Sequence, residues 1–116
     1  MSNAQIRIDF SRVESFRDFC RQLADQMGFD CACNSRDAFH DRMSDVNMGY
    51  HKNVRLSQGE TLRIGVFGFS AFSRKSPALA KVVEEHIRDL NEEAILEGHG
   101  APFYQFVSLP FLEADF

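Results

Sequence analysis

Thr61-Leu62-Arg63-Ile64-Gly65-Val66-Phe67-Gly68-Phe69 is the stretch on which the fold turns. Leu62, Ile64 and Val66 alternate at the two-residue period of a strand, while Phe67 and Phe69 extend apolar character to the second face. A strand buried on both faces belongs inside a sheet, so residues 61–69 are read as the central strand of an α/β domain. Gly65 and Gly68 lie within this apolar run and not in a phosphate-cradling turn. No Walker loop, dinucleotide fingerprint or hydrolase elbow is present, and catalysis gets no positive support.

Downstream, Ser76-Pro77 is a helix start, because serine caps and proline at the first helical position gives up no needed N–H. Leu79, Val82, Val83, Ile87, Leu90, Ala94 and Ile95 continue an apolar stripe to Gly98, which predicts a helix over 77–97, about six turns. Phe103-Tyr104-Gln105-Phe106-Val107-Ser108-Leu109 then reads as the last strand, followed by a tail over 110–116.

Upstream, residues 47–60 carry little apolar period apart from Val54 and Leu56, and are read as an irregular loop with a possible hairpin arm. Before it, Asn34 or Ser35 caps a second helix over 35–46 that turns Ala38, Phe39, Met43 and Val46 inward. A first helix over 12–27 follows from the spacing of Val13, Phe16, Phe19, Cys20, Leu23 and Met27. Ser11 and Glu14 stand at capping-box spacing at its start, and Gly28 supplies its stop. Gln5-Ile6-Arg7-Ile8-Asp9-Phe10 alternates as strand one. Met1-Ser2-Asn3-Ala4 looks like a tag or a disordered start, since no apolar h-region follows it. The expected architecture is therefore one α/β domain over 5–109 in the order β-α-α-β-α-β. It is a small, three-layer-type assembly with a three-stranded parallel sheet and right-handed crossovers.

Composition narrows the function. At 116 residues with 44% hydrophobic side chains the chain supports a core without staples, and no apolar run is long enough to span a membrane. A formal charge of −4 disfavours nucleic acid and anionic membranes, and suits a basic partner. Three cysteines form an odd set, and Cys31-x-Cys33 is poor disulfide geometry, so a reducing, cytoplasmic setting is expected. Cys31, Cys33 and His40, with His51 or His99, would be the candidate zinc ligands, but the Cys-x-x-Cys knuckle is missing and no metal or cofactor is expected. Cys20 falls on the apolar stripe beside Phe16 and Leu23 and is read as core, not as a nucleophile. The twelve phenylalanines are read as core too, leaving Phe111 and Phe116 unexplained.

The carboxylates are arranged unusually. Asp37, Asp41 and Asp45 recur every four residues on the second helix, and Glu85, Asp89, Glu93 and Glu97 do so on the long helix. Like charges at this spacing repel by a few tenths of a kcal/mol per pair, with only Lys81 and Arg88 to relieve the second stripe. A solvated face and a binding face both fit that pattern.

Met27-Gly28-Phe29-Asp30-Cys31-Ala32-Cys33-Asn34-Ser35-Arg36-Asp37-Ala38-Phe39-His40-Asp41-Arg42-Met43-Ser44-Asp45 adds a more specific signal. It resembles the barstar family, in which the end of helix one and an aromatic-glycine loop lead to Asn-x-Asp-Ala-Leu/Phe-x-Asp at the start of helix two. Glu93-Ala94-Ile95-Leu96-Glu97-Gly98 is similar to the family's ending of the long helix, and the element order agrees over residues 5–109. The resemblance implies a non-enzymatic inhibitor or immunity protein, monomeric when free. Its helix two and preceding loop would enter the basic active site of a bacterial ribonuclease or nuclease toxin domain. By the same resemblance, Asp41 corresponds to the principal phosphate-mimicking aspartate, Asp37 to its neighbour one turn earlier and Glu93 to the long-helix glutamate that joins them. Asn34, His40 and Asp45 complete the expected contact surface. Two departures stand out: Cys31-Ala32-Cys33 replaces the aromatic loop, and His40 stands where the family has tryptophan. Together with the longer connection over 46–60, they leave room for a different nuclease partner.

Overall fold

The computed structural model describes residues 5–30 and 35–109. The expected start at 1–4, the tail at 110–116, Cys31, Cys33 and the candidate contact Asn34 lie outside the described residues. Strands β1 (Gln5–Asp9), β2 (Leu62–Phe67) and β3 (Tyr104–Leu109) form one parallel sheet in the order β1-β2-β3. Four helices accompany it: α1 (Phe16–Met27), α2 (Arg36–Ser44), α3 (Phe69–Lys75) and α4 (Pro77–Leu96). This is the α/β fold with a central parallel strand that the sequence implies.

The register shows which face is core. Ile6 lies opposite Ile64, Ile8 opposite Val66 and Leu62 opposite Tyr104, and all six are buried. Successive crossovers of one hand between neighbouring strands carry their helices to the same side of the sheet. The burial expected on both faces of the central strand is therefore complete on one face only. On the other, Gln5, Arg63 and Gln105 are exposed and Phe67 is half-buried. α1 and α4 line the buried face, and α2 sits over them through ring contacts of Phe39 with Phe16, Phe19 and His86.

Each edge strand has backbone groups that β2 cannot satisfy, and amide side chains from the helices meet several of them. On the β1 edge, Gln22 Oε1 accepts from Asp9 N at 2.8 Å, Gln22 Nε2 donates to Asp9 O at 2.9 Å, and Gln26 Oε1 accepts from Arg7 N at 3.2 Å. On the β3 edge, Asn91 accepts from Tyr104 N and donates to Tyr104 O, both at 2.8 Å.

Several boundaries differ from the sequence reading, each for a local reason. Ser11 does not cap α1: its N–H and hydroxyl both bond to Asp9 Oδ1, which folds Phe10–Arg12 into a 3-10 turn. The helix instead starts at Phe16, with Ser15 accepting from Asp18 N while Asp18 accepts from Glu14 N at 2.9 Å. α2 ends at Ser44, and Val46 is buried from a following 3-10 turn over Asp45–Asn47. Ala38 is exposed, because so short a helix rests on Phe39 and Met43. The stretch read as one strand through Phe69 is broken by Gly68, whose φ of +73° turns β2 into α3, a helix that strand-like composition concealed. In α4, Ser76 occupies the N-cap position without a side-chain cap bond, and Ile95 is 54% exposed instead of inward. Ile95 lines an apolar groove with Ile87, Tyr104 and Phe106 beside the β3 edge.

Residues 48–61 form no hairpin arm, yet they are not loose chain. Lys52 N donates to Gly28 O and Asn53 N to Met27 O, at 3.1 and 3.0 Å, and Val54, Leu56 and His51 are buried. Gly28 permits this dock twice over: its φ is +83°, and a Cβ would lie 2.9 Å from Lys52 Cβ.

Candidate functional site

The second helix offers little apolar surface, so polar groups seat much of it. Ser35 caps its start, accepting from Ala38 N at 3.1 Å. Tyr104 donates its hydroxyl to Met43 O at 2.6 Å in the core. His51 Nε2 donates to Arg42 O at 2.8 Å while its ring stacks on Phe29 at 4.7 Å. Burial lowers the His51 pKa, with the Asp45 carboxylate opposing part of that effect. His51 and Tyr104 thus add a second donor to the Arg42 and Met43 carbonyls, which also accept from the Asp45 N–H at the C-cap.

Seated this way, α2 turns its acidic side outward. Asp37 and Asp41 are exposed one turn apart, and Asp45 is half-buried at the C-cap. Asp37 lies in the first turn, where the helix dipole favours a carboxylate. Among the described residues, no hydrogen bond or ion pair engages the carboxylate of Asp41.

The long helix meets this surface along one seam. His40 Nε2 donates to the Glu93 carboxylate, 3.2 Å from Oε1 and 3.3 Å from Oε2. The Ser44 hydroxyl lies 2.7 Å from His40 O and 3.2 Å from Glu93 Oε1. Arg36, Asp37, His40, His86 and Asp89 line a cavity of about 330 Å³ between α2 and α4. The guanidinium of Arg36 sits 5.9 Å from the Phe16 ring centre, and Asp89 pairs with Arg88 at 3.7 Å. The two carboxylate stripes thus approach each other at Asp37, Asp89 and Glu93, while Glu85 and Glu97 have no such contact among the described residues.

His86 closes the seam from below. It is 2% exposed, stacks on Phe39 at 5.4 Å, and receives the rings of Phe16 and His40 edge-on at 5.5 and 5.3 Å. Burial pushes its pKa down to about 4, with the neighbouring His40 and Arg36 adding to the effect and Asp89 opposing it. The imidazole is therefore neutral at pH 7, and its Nε2 has no hydrogen-bond partner among the described residues.

Of the expected contact residues, Asp37, His40 and Asp41 fall on α2, Asp45 at its C-cap and Glu93 on the α4 flank facing it. Ser44, His86, Arg36 and Asp89 belong to the same seam and were not singled out from the sequence as site residues. The spacing His86-x-x-Asp89 and His86-x₆-Glu93 puts those three on one side of a helix, a signal available in principle. The candidate ligands Cys31 and Cys33 lie outside the described residues, and the described His51 and His99 bond to backbone carbonyls. His99 Nε2 donates to Glu60 O at 3.0 Å, and among the described residues no three His, Cys, Asp or Glu side chains cluster as metal ligands would. Cys20 is buried and its thiol is pushed up to about 12, unsuited to nucleophilic work. No helix among the described residues is long and apolar enough to cross a membrane.

A family model described as Barstar (barnase inhibitor) matches residues 3–108, nearly the whole chain. No curated protein and no solved structure gives a significant match.

Proposed function

The chain belongs to the barstar family, whose members inhibit ribonucleases of the barnase type, and on that premise we propose that its α2 surface plugs the basic active site of such an enzyme. The observation that carries this reading is the pair Asp37 and Asp41, exposed one turn apart on a helix whose other contacts are already satisfied. A ribonuclease cleft offers Arg, Lys and His to RNA phosphates. Carboxylates presented on a rigid helix accept charge-assisted hydrogen bonds from the same groups, and the net charge of −4 favours encounter with a basic partner. Asp41 is assigned the central contact, Asp37 a flanking one and Asp45 a place at the rim. The chain acts by occupying the cleft, needs no cofactor, and performs no chemistry of its own.

The test is titration of the chain into a barnase RNA-cleavage assay. The expected outcome is loss of cleavage at one inhibitor per enzyme, with Asp41→Ala restoring cleavage at the same concentration. Undiminished cleavage at micromolar excess would overturn the reading. A second partner class, a nuclease toxin domain of another type, is favoured by one observation: His40, where the family has tryptophan, is tied into the seam by Glu93 and presents only a small, 25% exposed ring. Inhibition of another basic nuclease, with barnase untouched, would select it.

A further inference from the structure

Among the described residues, Glu93 differs from Asp37 and Asp41 in being hydrogen-bonded to the facing helix. Its carboxylate accepts from His40 Nε2 and lies within hydrogen-bond reach of the Ser44 hydroxyl. The His40 side chain is 25% exposed and its ring edge rests on the buried His86 at 5.3 Å, so it is held on both sides. A carboxylate that already accepts from a ring N–H of its own chain has fewer lone pairs left for a foreign cation. Among the described residues, nothing engages the carboxylate of Asp41.

The seam also has more to hold than its size suggests. Phe39 and Met43 are the buried side chains of α2, which leaves the rotation and tilt of that helix to its polar ties. Three of those ties reach the ends or the backbone of α2: the Ser35 cap, the Tyr104 hydroxyl on Met43 O and His51 on Arg42 O. The His40–Glu93 bond joins α2 to α4 side chain to side chain, and His40 lies between Asp37 and Asp41 in the sequence. Rotation about that bond would swing both aspartates.

We propose that His40 is a positioning residue which, by holding Glu93, fixes α2 against α4 and so sets the arrangement of Asp37 and Asp41 that the nuclease meets. The inference rests on the functional reading above and deepens it: Glu93, its side chain 41% exposed, serves as a strut along the rim of the seam, and the main contact with the nuclease falls to the aspartates. Affinity gained this way comes from pre-organisation, since a helix already held in its bound orientation loses less freedom on association.

Barnase is the probe, with His40→Ala, His40→Gln, Glu93→Ala, Glu93→Gln and the His40→Ala/Glu93→Ala double variant. Glutamine at 40 keeps an N–H near the position of Nε2, and glutamine at 93 keeps an acceptor while removing the charge. The two alanine variants should each weaken binding about tenfold and the double variant no further, the non-additivity of a single shared contact. Both glutamine variants should recover most of that loss. Amide exchange of α2, measured without nuclease, should quicken in the alanine variants and return towards normal in the glutamine ones. Glu93→Gln as damaging as Glu93→Ala, with His40→Ala binding normally, would overturn the proposal by making Glu93 a direct charge contact. Unchanged α2 exchange in His40→Ala would overturn it as well. A wild-type chain that fails to bind barnase overturns the functional reading and this inference with it. Wild-type binding with an unaffected His40→Ala overturns this inference alone.

Discussion

Helices α1 and α2 follow one another in the chain and are built in opposite ways. α1 buries Phe19, Cys20, Leu23, Ala24 and Met27 against the sheet and uses Gln22 and Gln26 to close the β1 edge. α2 buries Phe39 and Met43 and is otherwise seated by hydrogen bonds to its cap, its last carbonyls and Glu93. One helix is committed to the fold. The other is anchored at a few points and leaves a charged face open, the arrangement an inhibitor needs if its contact surface is to vary without unfolding the domain.

The strongest way to break this comparison is to remove packing from α1. Leu23 is fully buried, so Leu23→Ala should lower stability by about 2–5 kcal/mol, the transfer loss plus an unfilled cavity. Urea denaturation followed by circular dichroism measures it, and nuclease inhibition per folded molecule should be unchanged. A loss below about 1 kcal/mol would mean that α1 is no more committed to the core than α2.

The same contrast explains what the sequence made legible. α1 could be recognised because its apolar residues recur at helical spacing, as they do in most of α4, and β2 because Leu62, Ile64 and Val66 alternate. The acidic face of α2 was visible as charge spacing, and its meaning came from the similarity over residues 27–45. α3 was hidden, because Phe69 and Phe72 look like strand residues until Gly68 takes a positive φ. The start of α1 was misplaced because Ser11 and Ser15 both offer a capping hydroxyl, and Asp9 took the first. The His40–Glu93 contact joins residues 53 apart in sequence, and no local period reports a pairing set by how two helices cross.

On α2 the largest expected effect is on binding. Asp41→Ala should weaken the nuclease complex by about 3 kcal/mol or more, because the enzyme's buried cations would be left without a partner. Its melting temperature should stay within about 2 °C of the wild type, since the carboxylate is exposed and has no partner among the described residues. Asp37→Ala should cost less in binding. Calorimetric titration and thermal scans on the two variants read both quantities, and a marked drop in melting temperature for Asp41→Ala would show that α2, like α1, is committed to the fold.

Acid should separate the two helices next. The His86 pKa is lowered to about 4 in the folded chain from about 6.5 when unfolded, so between those values the unfolded state binds more protons. Stability contributed by the neutral ring is complete above pH 6.5 and is lost as pH falls towards 4, by up to about 3 kcal/mol; the lowered His51 acts in the same direction. Arg36 and His40 face His86 across the seam, with Asp89 as its carboxylate neighbour, so a charged ring there disturbs the seat of α2 before α1. Amide exchange at pH 5 should therefore quicken in α2 first. His86→Phe, which keeps a ring on Phe39, should flatten the fall in urea midpoint between pH 7 and pH 5, and an unchanged slope would place the acid sensitivity elsewhere.

The smallest effect is expected at Asp45, where the two demands on α2 oppose each other. Its carboxylate stands at the helix C-cap, facing the negative end of the dipole, which costs about 0.3–1 kcal/mol at low salt. Asp45→Asn should therefore raise stability by a few tenths of a kcal/mol, discounted because the side chain is only half-buried. The field of Asp45 also favours the charged form of His51, but that ring is neutral at pH 7 and loses little when the field is removed. Binding should respond the other way. A rim charge steers encounter, so Asp45→Asn should slow association with the nuclease a few-fold, leave dissociation unchanged and reduce the salt dependence of the on-rate. Stopped-flow kinetics at two ionic strengths, beside urea denaturation, tests both signs. A faster dissociation rate would move Asp45 from the rim into the buried contact, and a loss of stability would make it part of the seat that holds α2.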